Sequence, residues 1–476
     1  MLISFSASLV RIKFLLPLVI GLLVTPDACD KEISQANGST GWVQYRGDAQ
    51  RTGRASWGGP TARGVVAWRQ TIGQWDGSGE PPMYNSSPIV APSGTVFVGT
   101  GRASELAEAG SLPHLYAFTP TGQELWRSTL GGFAVYGAPA LGPDGRMLVV
   151  GQKFDKGRPV VRAFVVSESG KALATVAKQH EAAGSPLVDG EGNFLYRDPT
   201  GLWMLPRRDH RSRPSPELVA QNLPNLTSGS SIGDYLSDLG DAFSCLPGCS
   251  FDTSVKVTPF YTRGILPSPA WTGRCRDVAT GLWTRFWRVG QGKVLGNVNV
   301  DILATPAIGR GGTVAYVSLK SRETAAIDQT GNVLWKLSWG YQPVNIAVGR
   351  QAGTNSRSTV CTYVDASGRQ VEARDNGRDR LYVRSDLGLT AINGDTGRSL
   401  WWNKTPLVGE PIVLATGSGE LVLAAGESAL HAFRGDNGGQ LWSVPLDGPA
   451  LGSPAVGNDH IYVATYRSLY AISLTD

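Results

Sequence analysis

The sequence predicts an all-β protein assembled from repeated four-strand sheets. Three observations predict it. A four-part motif recurs along most of the chain at a spacing of about 40 residues. The composition is rich in turn formers and aromatics, with 60 Gly, 29 Pro and 14 Trp. Charged residues make up only 17% of the chain, which does not suit surface-exposed helices.

The motif has four parts in a fixed order. A small residue, Pro and an apolar residue open it, as in Ser87-Pro88-Ile89, Ala138-Pro139-Ala140, Ser185-Pro186-Leu187, Thr305-Pro306-Ala307 and Ser453-Pro454-Ala455, with Glu in the first place of Glu410-Pro411-Ile412. A turn and a β-branched or aromatic run follow, as in Val96-Phe97-Val98, Leu381-Tyr382-Val383 and Ile461-Tyr462-Val463. The third part carries Ala before a large apolar residue: Ala117-Phe118, Ala163-Phe164, Ala326-Ile327, Ala391-Ile392, Ala432-Phe433 and Ala471-Ile472. The last is a Gly turn leading to Leu-Trp, ending at Trp126, Trp335, Trp401 and Trp442; Gly170 to Leu173 keeps the turn and lacks the Trp. Gly, Asn and Asp in these turns supply the positive φ that tight hairpins require.

Ala391 to Ala432 is 41 residues and Ala432 to Ala471 is 39, the length of a four-stranded unit. One such sheet has two apolar faces and cannot bury them alone, so the units are expected to stack around a ring as a β-propeller. Trp126, Trp335, Trp401 and Trp442 are expected to dock each sheet onto its neighbour, because an indole buries a large area. The last unit ends after three strands. The missing fourth is assigned to Gly64-Val65-Val66-Ala67-Trp68-Arg69, which places Trp68 in the same docking role and closes the ring. Units start near residues 84, 136, 183, 304, 343, 409 and 450. The stretch 223–300, with Ser268-Pro269-Ala270 and Gly281-Leu282-Trp283, has room for one more, so eight blades are expected, with seven the alternative. Residues 64–476 then form one propeller, with insertions near 206–265 and 351–378.

The N-terminus reads as an export signal over 1–28: Arg11 and Lys13 precede the apolar run Phe14 to Val24, short for a membrane span. Ala28-Cys29 resembles a lipoprotein cleavage site with Cys29 as the lipidated residue, whereas Ser34-Gln35-Ala36 offers an ordinary cleavage site; both stand as alternatives. A lipid anchor would hold the body at a membrane surface in the periplasm or cell envelope. Residues 29–63 form a lead-in. Cys245, Cys249, Cys275 and Cys361 remain after Cys29 and permit two disulfides of undetermined pairing.

Other chemistry finds little in the sequence. The net charge of +5 and the lack of long basic runs argue against nucleic-acid binding. His114, His180, His210, His431 and His460 show no metal-ligand spacing. Asp234, Asp238 and Asp241 do not match a calcium-loop pattern and read as a polar loop. Arg207 to Arg213 is a basic cluster suited to an exposed hairpin.

These motifs resemble the quinoprotein-type (pyrroloquinoline-quinone-like) propeller repeat. The opening Trp42-Val43-Gln44-Tyr45-Arg46-Gly47-Asp48 and Arg51-Thr52-Gly53 resembles the lead-in of exported members. The resemblance spans about residues 42–476. One branch of that family holds the quinone and a calcium ion on the ring axis, commonly with two adjacent cysteines; this chain has no Cys-Cys pair and no Cys-x-x-Cys-His. The other branch is non-enzymatic and includes the propeller lipoprotein of the outer-membrane barrel assembly machinery. The export signal and the lack of redox cysteines favour that branch, which implies a protein partner, no cofactor, no catalytic residues and a monomeric body. A quinone-dependent oxidoreductase using quinone and calcium at an atypical site is the alternative.

Overall fold

The computed structural model describes residues 41–48, 51–72, 87–100, 113–135, 137–155, 158–176, 183–188, 192–198, 201–207, 217–220, 307–309, 314–319, 321–328, 333–351, 359–364, 370–375, 378–385, 387–450 and 452–476. Among them the regular elements are all β-strands, arranged in seven sheets of four or five strands and one separate hairpin.

The lead-in gives β1 (Arg54–Ser56) and is followed by β2 (Arg63–Thr71). The first sheet holds β3 (Ile89–Val90), β4 (Val96–Gly99), β5 (Leu115–Phe118) and β6 (Glu124–Ser128). The second holds β7 (Ala134–Val135), β8 (Ala140–Leu141), β9 (Arg146–Asp155), β10 (Arg158–Ser167) and β11 (Ala172–Thr175); β7 and β8 both pair with β9. The third is β12 (Ala183–Val188), β13 (Phe194–Asp198), β14 (Gly201–Leu205) and β15 (Glu217–Ala220). The fourth is β16 (Ala307–Gly309), β17 (Val314–Leu319), β18 (Glu323–Asp328) and β19 (Val333–Ser338).

The fifth sheet starts with β20 (Pro343–Gln351). A separate hairpin of β21 (Thr359–Val364) and β22 (Gln370–Asp375) follows, and the sheet resumes with β23 (Arg378–Ser385), β24 (Gly388–Asn393) and β25 (Ser399–Asn403). The sixth is β26 (Ile412–Thr416), β27 (Gly419–Ala425), β28 (Ala429–Arg434) and β29 (Gln440–Pro445), with β1 added parallel to β26. The seventh is β30 (Ala455–Val456), β31 (His460–Ala464) and β32 (Ser468–Thr475), and β2 completes it by pairing antiparallel with β32. The segment around Trp68 therefore lies beside the C-terminal strand, although the two stand at opposite ends of the sequence.

The burial pattern follows position in each sheet. Central strands such as β17 are buried at every residue, as expected where both faces are covered. Fourth strands alternate: in β19, Val333, Trp335 and Leu337 are half-buried, and Leu334, Lys336 and Ser338 face solvent. Apolar clusters bridge consecutive sheets. Tyr316 and Ile346 join the fourth to the fifth, Tyr382 and Val413 the fifth to the sixth, Leu423 and Tyr462 the sixth to the seventh. Phe118 joins the first sheet to the seventh, Phe97 and Val149 the first to the second, and Val150 and Phe194 the second to the third.

The Leu-Trp element has a cause that the sequence alone did not expose. In five sheets the alanine of the third strand sits opposite the docking Trp, and the ladder then skips one residue of the fourth strand. The skipped residues are Leu125, Leu334, Leu400, Leu441 and, in β2, Ala67. Each of the four leucines is exposed. This is a repeated β-bulge, which bends the strand and re-aims the next side chain. The re-aimed side chain is the tryptophan.

Candidate functional site

The five tryptophans make one contact in five copies. Trp68 Nε1 donates to the Pro120 carbonyl at 2.7 Å, Trp126 to Glu168 at 2.8 Å, Trp335 to Gly394 at 2.8 Å, Trp401 to Gly435 at 3.0 Å, and Trp442 to Thr61 at 2.9 Å. The first four acceptors lie in the turn between the third and fourth strands of the adjoining sheet, and Thr61 precedes β2. Each ring also covers a glycine there. Gly122 has φ +86°, and a Cβ built on it would lie 2.7 Å from Cδ2 of Trp68. The contacts run from the fourth sheet through the fifth, sixth, seventh and first to the second.

A second set of contacts joins the sheets at their first strands. The lead-in crosses the ends of the first strands. Val90 N donates to Trp42 O at 2.8 Å in the first sheet, and Leu141 N to Val43 O at 2.8 Å in the second. Val188 N donates to Gln44 Oε1 at 3.0 Å in the third, where Arg51 Nη2 also donates to Ser185 O at 2.8 Å. Val348 N donates to Thr52 O at 2.9 Å in the fifth, and Val413 N to Gly53 O at 2.7 Å in the sixth. Arg46, fully buried, donates through Nη2 to Ile346 O of the fifth sheet and to Pro411 O of the sixth at 3.5 Å. The Tyr45 hydroxyl donates to the buried Glu410 carboxylate. One short segment thus ties five sheets together where their first strands converge.

The small-Pro opening of each unit belongs to the same place. Ser453 N donates to Ser87 Oγ at 3.0 Å, and Ala138 N to Ser185 Oγ at 3.0 Å, so these serines link neighbouring sheets. The chain approaches closely here: a Cβ on Gly452, next to Ser453, would fall 2.7 Å from Ser87 Oγ. The electrostatics are those of a buried polar cluster. Burial pushes the Asp48 carboxyl up from its ordinary value, opposed by hydrogen bonds from Thr52 and by the charge of Arg46. The Arg51 guanidinium lies 5.0 Å from the centre of the Tyr45 ring. Most of the lead-in's hydrogen bonds engage backbone atoms of the sheets, which is what a structural tie requires. Among the described residues no group of three or more His, Cys, Asp or Glu is placed to hold a metal ion.

The remaining sequence candidates fall as follows. Cys29, Cys245, Cys249 and Cys275 lie outside the described residues, as do Asp234, Asp238, Asp241, His180, His210 and the stretch 223–300. Cys361 lies on β21 in register with Ala373 of β22. Arg207 is the one member of the basic cluster among the described residues, and its backbone N donates to Asn193 Oδ1 at 3.0 Å. His114 adjoins β5, His431 lies on β28 and His460 on β31, in three different sheets. Sequence reasoning quoted Trp42–Gly53 only as a family lead-in and missed its part in joining sheets. The buildup of Trp, Tyr, Arg and Asp in so short a stretch was the available signal.

The comparisons place the repeat first by class. The described residues form an all-β structure of repeated four-strand sheets. More particularly, the family model of the outer membrane protein assembly factor BamB matches residues 385–476. Among solved structures, the chain is similar to quinohemoprotein alcohol dehydrogenase from Comamonas testosteroni, at 11% identity over 95% of this chain and 82% of that one, with a TM-score of 0.47. It is also similar to BamB from Moraxella catarrhalis, at 14% identity over 82% of this chain and 86% of that one, with a TM-score of 0.38. A europium-containing methanol dehydrogenase is similar at 11% identity over 94% of this chain and 100% of that one, with a TM-score of 0.47. No curated protein matches the chain in sequence.

Proposed function

We propose that this chain is an exported, non-catalytic β-propeller scaffold that binds a protein or another macromolecule at the cell envelope. The observation that carries the reading is the use of the convergence point. Tyr45, Arg46 and Arg51 there are engaged with the chain's own strands, in contacts suited to holding sheets together. The match of residues 385–476 to the model of an outer-membrane assembly factor supports it. In this reading the seven sheets and one more from within 223–300 make an eight-bladed ring, closed by β2 against β32. Cys29 carries a lipid that holds the monomeric body at the membrane, and no cofactor is bound.

The test adds pyrroloquinoline quinone and calcium to the purified protein and follows quinone binding and dye reduction with alcohols and sugars. The scaffold reading expects neither. Tight quinone binding with dye reduction would overturn it in favour of a quinone-dependent oxidoreductase. Affinity capture from the native envelope, with identification of co-purifying proteins, is expected to return a defined partner. Labelling with radioactive fatty acid is expected to mark the wild type and not Cys29→Ala; equal labelling would remove Cys29 as the anchor.

A further inference from the structure

The exposed apolar residues are not spread evenly over the sheets. Nine large ones are exposed among the described residues, and all but Leu387 and Trp402 lie on fourth strands, close to where those strands begin. Leu125, Leu173, Leu334, Leu400 and Leu441 are each the second residue of their strand, in β6, β11, β19, β25 and β29. Each is the residue that the ladder skips, Leu173 included. A single exposed leucine is ordinary. One at the same place in five sheets puts an apolar point from each sheet on one side of the protein.

That side bears the turns between first and second strands and those between third and fourth strands. The two kinds of turn touch. A Cβ on Gly94, between β3 and β4, would fall 2.7 Å from Cγ of Pro120, between β5 and β6. One on Gly145, between β8 and β9, would fall 3.1 Å from Oε2 of Glu168, between β10 and β11. The N-terminal end of the lead-in lies on the same side. A Cβ on Gly41 would meet backbone atoms of Val90, Ala91 and Pro92, at the end of β3, at 2.6 to 2.9 Å. Leu387, in the turn between β23 and β24, belongs to the opposite side, as does Trp402, next to last on β25.

The position of Gly41 sets which side a lipid on Cys29 draws to a membrane. The 12 residues from Cys29 to Gly41 reach at most about 40 Å. Gly41 sits against a first strand. From there the way to the opposite side runs outward across three strand spacings, about 14 Å, and then along a strand such as β32, whose 8 residues span about 26 Å. That route uses the whole tether. The shorter way, between the first strands, is taken by the lead-in itself. The kind of contact fits as well. A protein partner needs one continuous interface of about 800 Å², whereas a bilayer accepts separate apolar side chains one by one. We propose that the side bearing the skipped leucines lies against the bilayer that holds the Cys29 lipid, with those leucines entering its headgroup layer. This rests on the Cys29 anchor proposed above.

The test is hydroxyl-radical footprinting, read residue by residue by mass spectrometry. It compares the lipidated protein on phosphatidylethanolamine and phosphatidylglycerol vesicles with Cys29→Ala free in solution. Fatty-acid labelling of the same preparations reports the anchor separately. In the labelled protein, oxidation of Leu125, Leu334, Leu400 and Leu441 is expected to fall about threefold or more on vesicles, and that of Leu387 and Trp402 to stay unchanged. Leu125→Glu combined with Leu400→Glu, with the anchor kept, is expected to restore oxidation of Leu334 and Leu441. Both positions are exposed, so the urea unfolding midpoint should be retained. A labelled protein whose leucines stay fully oxidised, or which protects Leu387 and Trp402 instead, overturns the proposal and leaves the anchor standing. Protection unchanged in the double variant overturns the part given to the leucines. Leucines already protected in Cys29→Ala without vesicles also overturn it, as an interface between copies. A wild type that takes no label removes the anchor, and the proposal falls with it.

Discussion

A single methyl group at Gly122 tests whether the tryptophan contacts join the sheets. Gly122 has φ +86°, and an added Cβ would meet Trp68 Cδ2 at 2.7 Å and Cγ at 3.0 Å. Alanine at that φ costs about 1 kcal/mol. Forcing the methyl into the indole adds about 2 kcal/mol of overpacking. Gly122→Ala should therefore destabilise the protein by about 3 kcal/mol. Gly131 has φ +68°, and a methyl added there would meet nothing within 4 Å, so Gly131→Ala should cost only the conformational part, about 1 kcal/mol. Trp68→Ala removes the hydrogen bond to Pro120 and the packing on Phe118 and Tyr462, for about 3 kcal/mol. With the indole gone the methyl has room, and Gly122→Ala on that background should cost about 1 kcal/mol. The double-mutant cycle then shows a coupling of about 2 kcal/mol. The assay is urea unfolding followed by far-ultraviolet circular dichroism. Equal costs for Gly122→Ala and Gly131→Ala, or an unchanged cost for Gly122→Ala without the indole, would refute the docking.

Two other outcomes are expected. Arg46→Ala deprives the carbonyls of Ile346 and Pro411, in two different sheets, of a donor and leaves a void; a loss of about 3 kcal/mol in urea unfolding is expected, with Arg207→Ala near zero as an exposed control. Burial holds His431 below the ordinary imidazole value of 6.5, and burial lowers His460 too, against the opposing charge of Asp459. Near pH 6.5 the unfolded chain takes up protons that the native state refuses, so stability present above that pH is lost as the pH falls. The thermal midpoint should drop between neutrality and about pH 5, and less steeply in His431→Gln; identical profiles would remove His431 from the account.

The repeat was legible in the sequence because its causes are local. Turn glycines, short β-branched runs and the order of Ala and Trp all act within about 40 residues, so Ala432, Trp442 and their counterparts could be aligned by eye. The pairing of β2 with the C-terminal strand was also legible, since a unit lacking its fourth strand and a fourth strand lacking its unit imply each other. The bulge that turns each Trp toward its neighbour was not, because Leu125 and Trp126 read alike as apolar until the ladder shows which one is skipped.

The sequence by itself determined the all-β class, the unit length, the turn chemistry and the assignment of β2 to the last sheet. The tertiary structure alone decided what the lead-in does. Tyr45 meets Glu410, Arg46 meets Ile346 and Arg51 meets Ser185 across separations of 134 to 365 residues. Strand pattern carries no information about such pairs, because they form only where the first strands of separate sheets converge. A buried polar group needs a partner, and the fold settles which one it finds.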